Sequence, residues 1–101
     1  MIYFIGTIQK IDESYGPSGI RTVGFFNTFK EAEKRVLKNS CDIHEDGCYP
    51  YAVIEAAEPG IYPTVDDKQT QFYKWTNGRY IRISKNELPE SVNHFINLTI
   101  G

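Results

Sequence analysis

Apolar residues in this chain recur at two different spacings, and the change between them marks the architecture. Between Thr28 and Asn39 the apolar positions Phe29, Ala32, Val36 and Leu37 follow the i, i+3, i+7, i+8 rule that gathers them on one helical stripe. Thr28 with Glu31 three residues on is a capping signature, in which each side chain can satisfy a free backbone N–H. Glu31 and Glu33 come early and Lys34, Arg35 and Lys38 late, as the helix dipole prefers, and Asn39 tolerates the left-handed conformation that ends helices. The pattern predicts one helix over 28–39.

Elsewhere the period is two. Ile2 to Ile11 reads as a first strand, with Ile2, Phe4 and Ile8 on one side and Tyr3, Ile5 and Thr7 on the other. Residues 13–19, with Gly16, Pro17 and Gly19, read as a hairpin loop, and Ile20 to Phe26 as a second, antiparallel strand. Gly16 and Gly19 do not make a phosphate cradle, because the spacing is wrong and a strand follows where a helix is required. Tyr51 to Ala56 is a third strand, ended by Pro59-Gly60. Asn77-Gly78 supplies the two positive-φ positions of a tight turn and folds Gln71 to Ile83 into a hairpin. In the tail, Pro89 to Asn93 suggests a short helical turn and Phe95 to Ile100 an edge strand or ordered arm.

These elements predict a single α+β domain over residues 1–101. It holds about five antiparallel strands in β-β-α-β-β-β order, with one amphipathic helix on one face. Phe4, Ile8, Phe29, Ala32, Val36, Leu37, Val53 or Ile54, and Ile81 are its expected core.

Charge narrows the partners. A net charge of −2 and a pI near 5.6 argue against gripping duplex nucleic acid through its phosphates. No apolar run approaches a membrane span, and Met1 to Gly6 reads as strand, lacking the basic and apolar regions of a signal peptide. With two cysteines and no export signal, a cytoplasmic protein with reduced thiols and no membrane partner is expected.

Candidate chemistry is sparse. Cys41, His44 and Cys48, with His94 as a fourth donor, contain the atoms zinc takes but not the tight Cys-x-x-Cys knuckle, so neither a metal site nor a cofactor is assigned. Glu55, set in an apolar strand, is expected to be partly buried and paired with an arginine. No nucleophile, base and orienting group assemble from spacing, so no catalytic residue is named; the enzymatic alternative is a small hydrolase using Glu55, a loop carboxylate and His44.

The hairpin is the most suggestive surface. The turn pairs Thr76 with Arg79, Trp75 with Tyr80, Lys74 with Ile81 and Tyr73 with Arg82, which places Tyr73, Trp75, Tyr80 and Arg82 on one side. Phe72, Ile81 and Ile83 fall on the other, the side expected to meet the helix. An open face of rings and a guanidinium can stack a base and hold a phosphate, with Arg21 or Arg79 assisting. It can also be the centre of a homodimer, or be covered by the C-terminal arm.

Arg21–Phe26, Ala32-Glu33, Asn39, Asp42-Ile43, Tyr49–Glu55 and Gly60–Tyr62 resemble small proteins of Gram-positive bacteria and their phages. The resemblance carries no activity and no site residue. It implies a setting in which proteins of this size act by binding, either blocking host defence proteins or sequestering nucleotide signals. The expectation is therefore a non-enzymatic, self-associating protein that sequesters a small anionic, nucleotide-derived ligand through Tyr73, Trp75, Tyr80, Arg82 and Arg21. A protein-interaction module that inhibits a host defence protein through the same face is the alternative.

Overall fold

The computed structural model describes residues 1–95 and 97–100; the His94 side chain lies outside the described residues. Strands β1 (Ile2–Asp12), β2 (Gly16–Phe26), β3 (Tyr51–Ala57), β4 (Gln71–Thr76) and β5 (Arg79–Ile83) form one antiparallel sheet in the order β2-β1-β3-β4-β5. Helix α1 (Phe29–Leu37) connects β2 to β3 across β1. The α+β class and the β-β-α-β-β-β order are those the period change predicts.

Local chemistry explains the turns. Asp12 Oδ1 accepts the N–H groups of Ser14 and Tyr15 at 2.7 and 2.9 Å, closing the β1–β2 turn early. Gly16 and Gly19 then take φ of 80° and 65°, so β2 begins at Gly16 and not at Ile20, and the loop expected over 13–19 shrinks to a tight turn. Further along, Ile5 faces Gly24 while Gly6 faces Thr22, which leaves Val23 as the extra residue of a β-bulge. Thr28 Oγ1 accepts the Glu31 N–H at 3.2 Å, and Asn39 takes φ 49° just beyond the end of α1.

Each face of the sheet has its own core. Ala32 and Val36 of α1 pack on Ile5, Ala52, Ile54, Tyr73 and Tyr80, with Phe29 and Trp75 at the margin. On the opposite face Ile8, Val53, Phe72 and Ile83 meet Leu88 and Val92, with Leu98 beside them. Leu37, expected in the core, is 43% exposed, because it lies with Lys30, Lys34 and Lys38 on the flank of α1 while the adjacent Val36 takes the buried position. Phe4 and Ile81 are half-buried.

The hairpin register is as the turn predicts, pair for pair, but its sides are exchanged. Tyr73, Trp75 and Tyr80 face the helix, and Phe72 and Ile83 face away. Alternation says which residues share a side, not which side meets the helix. Ala52 and Ala32 leave the volume that Tyr73 and Tyr80 fill.

The second face is covered by the tail, which passes through 3₁₀ turns at Lys85–Glu87 and Glu90–His94 before crossing the sheet. Polar bonds pin it. Ser91 Oγ donates to Asp12 O at 2.6 Å, Val65 N–H donates to Asn97 Oδ1 at 2.8 Å, and Thr22 Oγ1 donates to Thr99 O at 2.5 Å. A Cβ on Gly6 would stand 2.5 Å from Thr99 Cγ2, so glycine is what lets the arm lie flat. With both faces covered, the open aromatic face on which self-association was argued is absent from the protomer.

Among the described residues one buried hydroxyl, Thr7 Oγ1, has no hydrogen-bond partner. Thr7→Val is expected to raise stability by about 1 kcal/mol, since it removes an unsatisfied polar atom at constant volume. Urea unfolding reads this directly, and a loss of stability would mean that the hydroxyl is satisfied in solution.

Candidate functional site

Four of the five residues expected to bind a ligand are committed to holding the protein together. Tyr73 is 0% exposed and its hydroxyl donates to Glu33 Oε2 at 2.5 Å. Burial first, then the Glu33 carboxylate, pushes this phenol far above its ordinary range. Arg82 closes on the same carboxylate through Nε at 2.6 Å and Nη2 at 2.5 Å, a two-pronged grip from the sheet to α1. Tyr80 is 1% exposed and donates to Tyr49 O at 2.6 Å. Trp75 is covered by His44, whose ring stacks on the indole at 3.6 Å and 7° while standing edge-on to Tyr80. Gly47 N–H donates to His44 Nδ1 at 3.3 Å, which helps to hold the ring in place.

Glu55 is buried, as expected for a carboxylate in an apolar strand, but its partner is not an arginine. Oε2 accepts the Leu98 N–H at 3.0 Å, and Oε1 accepts the N–H and hydroxyl of Thr99 at 2.6 and 2.7 Å. Both oxygens therefore hold the arm. The sheet separates Glu55 from His44, which packs on the helix side, so the pair named for a hydrolase does not meet. Cys41 and Cys48 are free and exposed, and among the described residues no three His, Cys, Asp or Glu side chains are placed to hold a metal ion.

Arg21, the fifth, lines an open cavity. A groove of about 510 Å³ runs between the edge strand β2 and the loop after α1, walled by Arg21, Thr22, Val23, Cys41, Asp42, Ile43 and Glu45. Arg21 is ion-paired with Glu45 and lies 4.6 Å over the Tyr49 ring, so its charge is largely answered within the fold. The groove continues into an apolar recess of about 220 Å³ that shares Val23, Cys41 and Ile43 and adds Ile5, Gly24, Phe25, Phe26, Arg35 and Ser40. Phe25, 64% exposed, borders the recess, but its ring packs on Phe4 on the opposite face of the sheet.

The loop wall is shaped by left-handed backbone at Asn39, Cys41 and Asp42. Asn39 helps to fix it, through Nδ2 to Asp42 Oδ1 at 3.1 Å and by accepting the His44 N–H at 2.9 Å. The opposite wall carries the Val23 bulge, which bends the strand edge locally. Sequence reasoning did not single out this groove. Gly24 inside a strand pattern was the available signal, since an isolated glycine there marks a bulge or a close approach.

Arg21–Phe26 and Asp42-Ile43, two of the stretches that carry the resemblance, are brought together as the two walls. No family model matches the chain, and neither a curated protein nor a solved structure matches it.

Proposed function

We propose that this protein is a non-enzymatic interaction module that takes an extended segment of a partner protein along β2. The observation that carries the reading is an eleven-residue edge strand, unpaired on its outer side among the described residues, beside a groove of mixed charge that continues into an apolar recess. Exposed strand edges are templates for pairing, with main-chain bonds giving affinity and neighbouring pockets giving selectivity. The setting implied by the resemblance makes a host defence protein the first partner to try.

A nucleotide is the weaker fit. Its base has lost Tyr73 and Tyr80 to the core and one face of Trp75 to His44, and its phosphates would meet Asp42 and Glu45 beside an arginine already ion-paired. The test is to photo-crosslink from position 25 in host extract, purify the protein captured, and measure its binding by calorimetry. Phe25→Lys, which places an edge-blocking charge on a largely exposed position, is expected to weaken binding at least tenfold with an unchanged melting temperature. Full-strength binding by this variant, or a nucleotide from a standard panel that raises the melting temperature, would replace this reading with the ligand-binding one.

A further inference from the structure

Resting on that reading, we infer that the segment bound along β2 is the carboxyl terminus of the partner, with an apolar last residue seated in the recess. Three features converge there. The recess is walled by Ile5, Val23, Phe26 and Ile43, and at about 220 Å³ it has room for one apolar side chain. Arg35 stands at its mouth with its guanidinium 5.6 Å above the Phe26 ring, and among the described residues it makes no ion pair. Gly24 opens onto empty space: a Cβ there would meet nothing within 4 Å, and its φ is not one that requires glycine. Neither a positive φ nor internal packing requires glycine at this place beside the Val23 bulge, and its effect is to keep the recess wide.

An internal strand needs only a free edge. A chain terminus needs an edge, a socket for its last side chain and a cation for its carboxylate, and Arg35 is the one side chain of the recess able to supply a charge. The carboxylates lie apart, in the polar half of the groove, where Arg21 already answers Glu45 and leaves Asp42 facing the bound strand. This division sets polarity. The terminus lies toward Phe26 and the upstream residues toward Arg21, so the bound strand runs parallel to β2 and places a basic residue opposite Asp42.

The experiment uses the full chain and fluorescent octapeptide pools ending in Val, Leu or Phe, each with a free or an amidated terminus. Fluorescence polarisation is expected to show at least tenfold tighter binding of the free-carboxylate pools. Arg35→Gln should erase that preference, and Gly24→Val, which fills the recess, should abolish binding with little change in melting temperature. Equal binding of amidated peptides, full binding by Gly24→Val, or no binding by any pool would each overturn the inference. If internal strands block crosslinking from position 25 while free termini gain nothing, the edge-pairing reading stands and this one falls.

Discussion

Replacing Glu55 with alanine is expected to destabilise the protein by about 4 kcal/mol, because two backbone N–H groups and a hydroxyl lose their acceptor inside the fold. Among the described residues Glu55 has no ion-pair partner, normally a liability for a buried carboxylate, and here the three donors of Leu98 and Thr99 compensate it. The loss would not stay local. Leu98 and Thr99 anchor the arm that covers Ile8, Val53 and Phe72, so its release exposes one of the two cores. A domain of this size has only about 5–15 kcal/mol in total, so the variant should be largely unfolded at moderate heat. Glu55→Gln separates charge from shape. One of its two ends is an amide that must face an N–H donor, so it should still lose about 1–2 kcal/mol. Guanidinium unfolding gives both numbers, and amide exchange at Leu98 and Thr99 should quicken before the β1–β3 ladder does. A Glu55→Ala variant within 1 kcal/mol of the parent would show that the arm is held by its apolar contacts alone.

Glu55 also shows where sequence reasoning stops. Its burial was legible, because a lone acid between apolar neighbours on a strand has nowhere else to point. Its partner was not, since the donors come from residues 98 and 99, and nothing local ties the tail to β3. The hairpin divides in the same way. Asn77-Gly78 fixes the turn, the turn fixes the register, and the register fixes which side chains are neighbours. Which side the helix covers depends on packing volume: small residues at Ala32 and Ala52 admit the tyrosines, and a second apolar cover reaches Phe72 and Ile83 from the tail. An aromatic cluster with an arginine therefore read as a binding surface when it is a helix–sheet junction. The groove beside β2 was harder still. It needs a bulge at Val23 and left-handed backbone at Asn39, Cys41, Asp42 and Glu45, none of which leaves a periodic trace.

That junction supplies the second large effect. Glu33 on α1 takes the Tyr73 hydroxyl and both prongs of Arg82, so Glu33→Gln should lose about 2 kcal/mol at neutral pH. Most of this belongs to the buried phenol. Arg82 is 57% exposed, and water screens its share. The sign of the pH dependence follows from the carboxyl itself. The Arg82 guanidinium first, with the Tyr73 hydroxyl adding and burial opposing, holds Glu33 below its ordinary value of 4.5. A carboxyl depressed in the folded state contributes fully above its unfolded value and loses that contribution as the pH falls through the folded one. The difference between the parent and Glu33→Gln should therefore be constant from neutrality down to roughly pH 5 and shrink steadily below it. Asp12, held low by the Tyr15 and Ser14 amides, and Asp66, held low by Gln69 and the Lys68 amide, titrate in the same range. Both proteins will weaken in acid for that reason, and only their difference isolates Glu33. Urea midpoints taken at half-unit steps from pH 7 to pH 2.5 measure it. A gap that stays the same at every pH would mean that the substitution acts through packing, and that the Glu33–Tyr73–Arg82 contact contributes no charge-dependent stability.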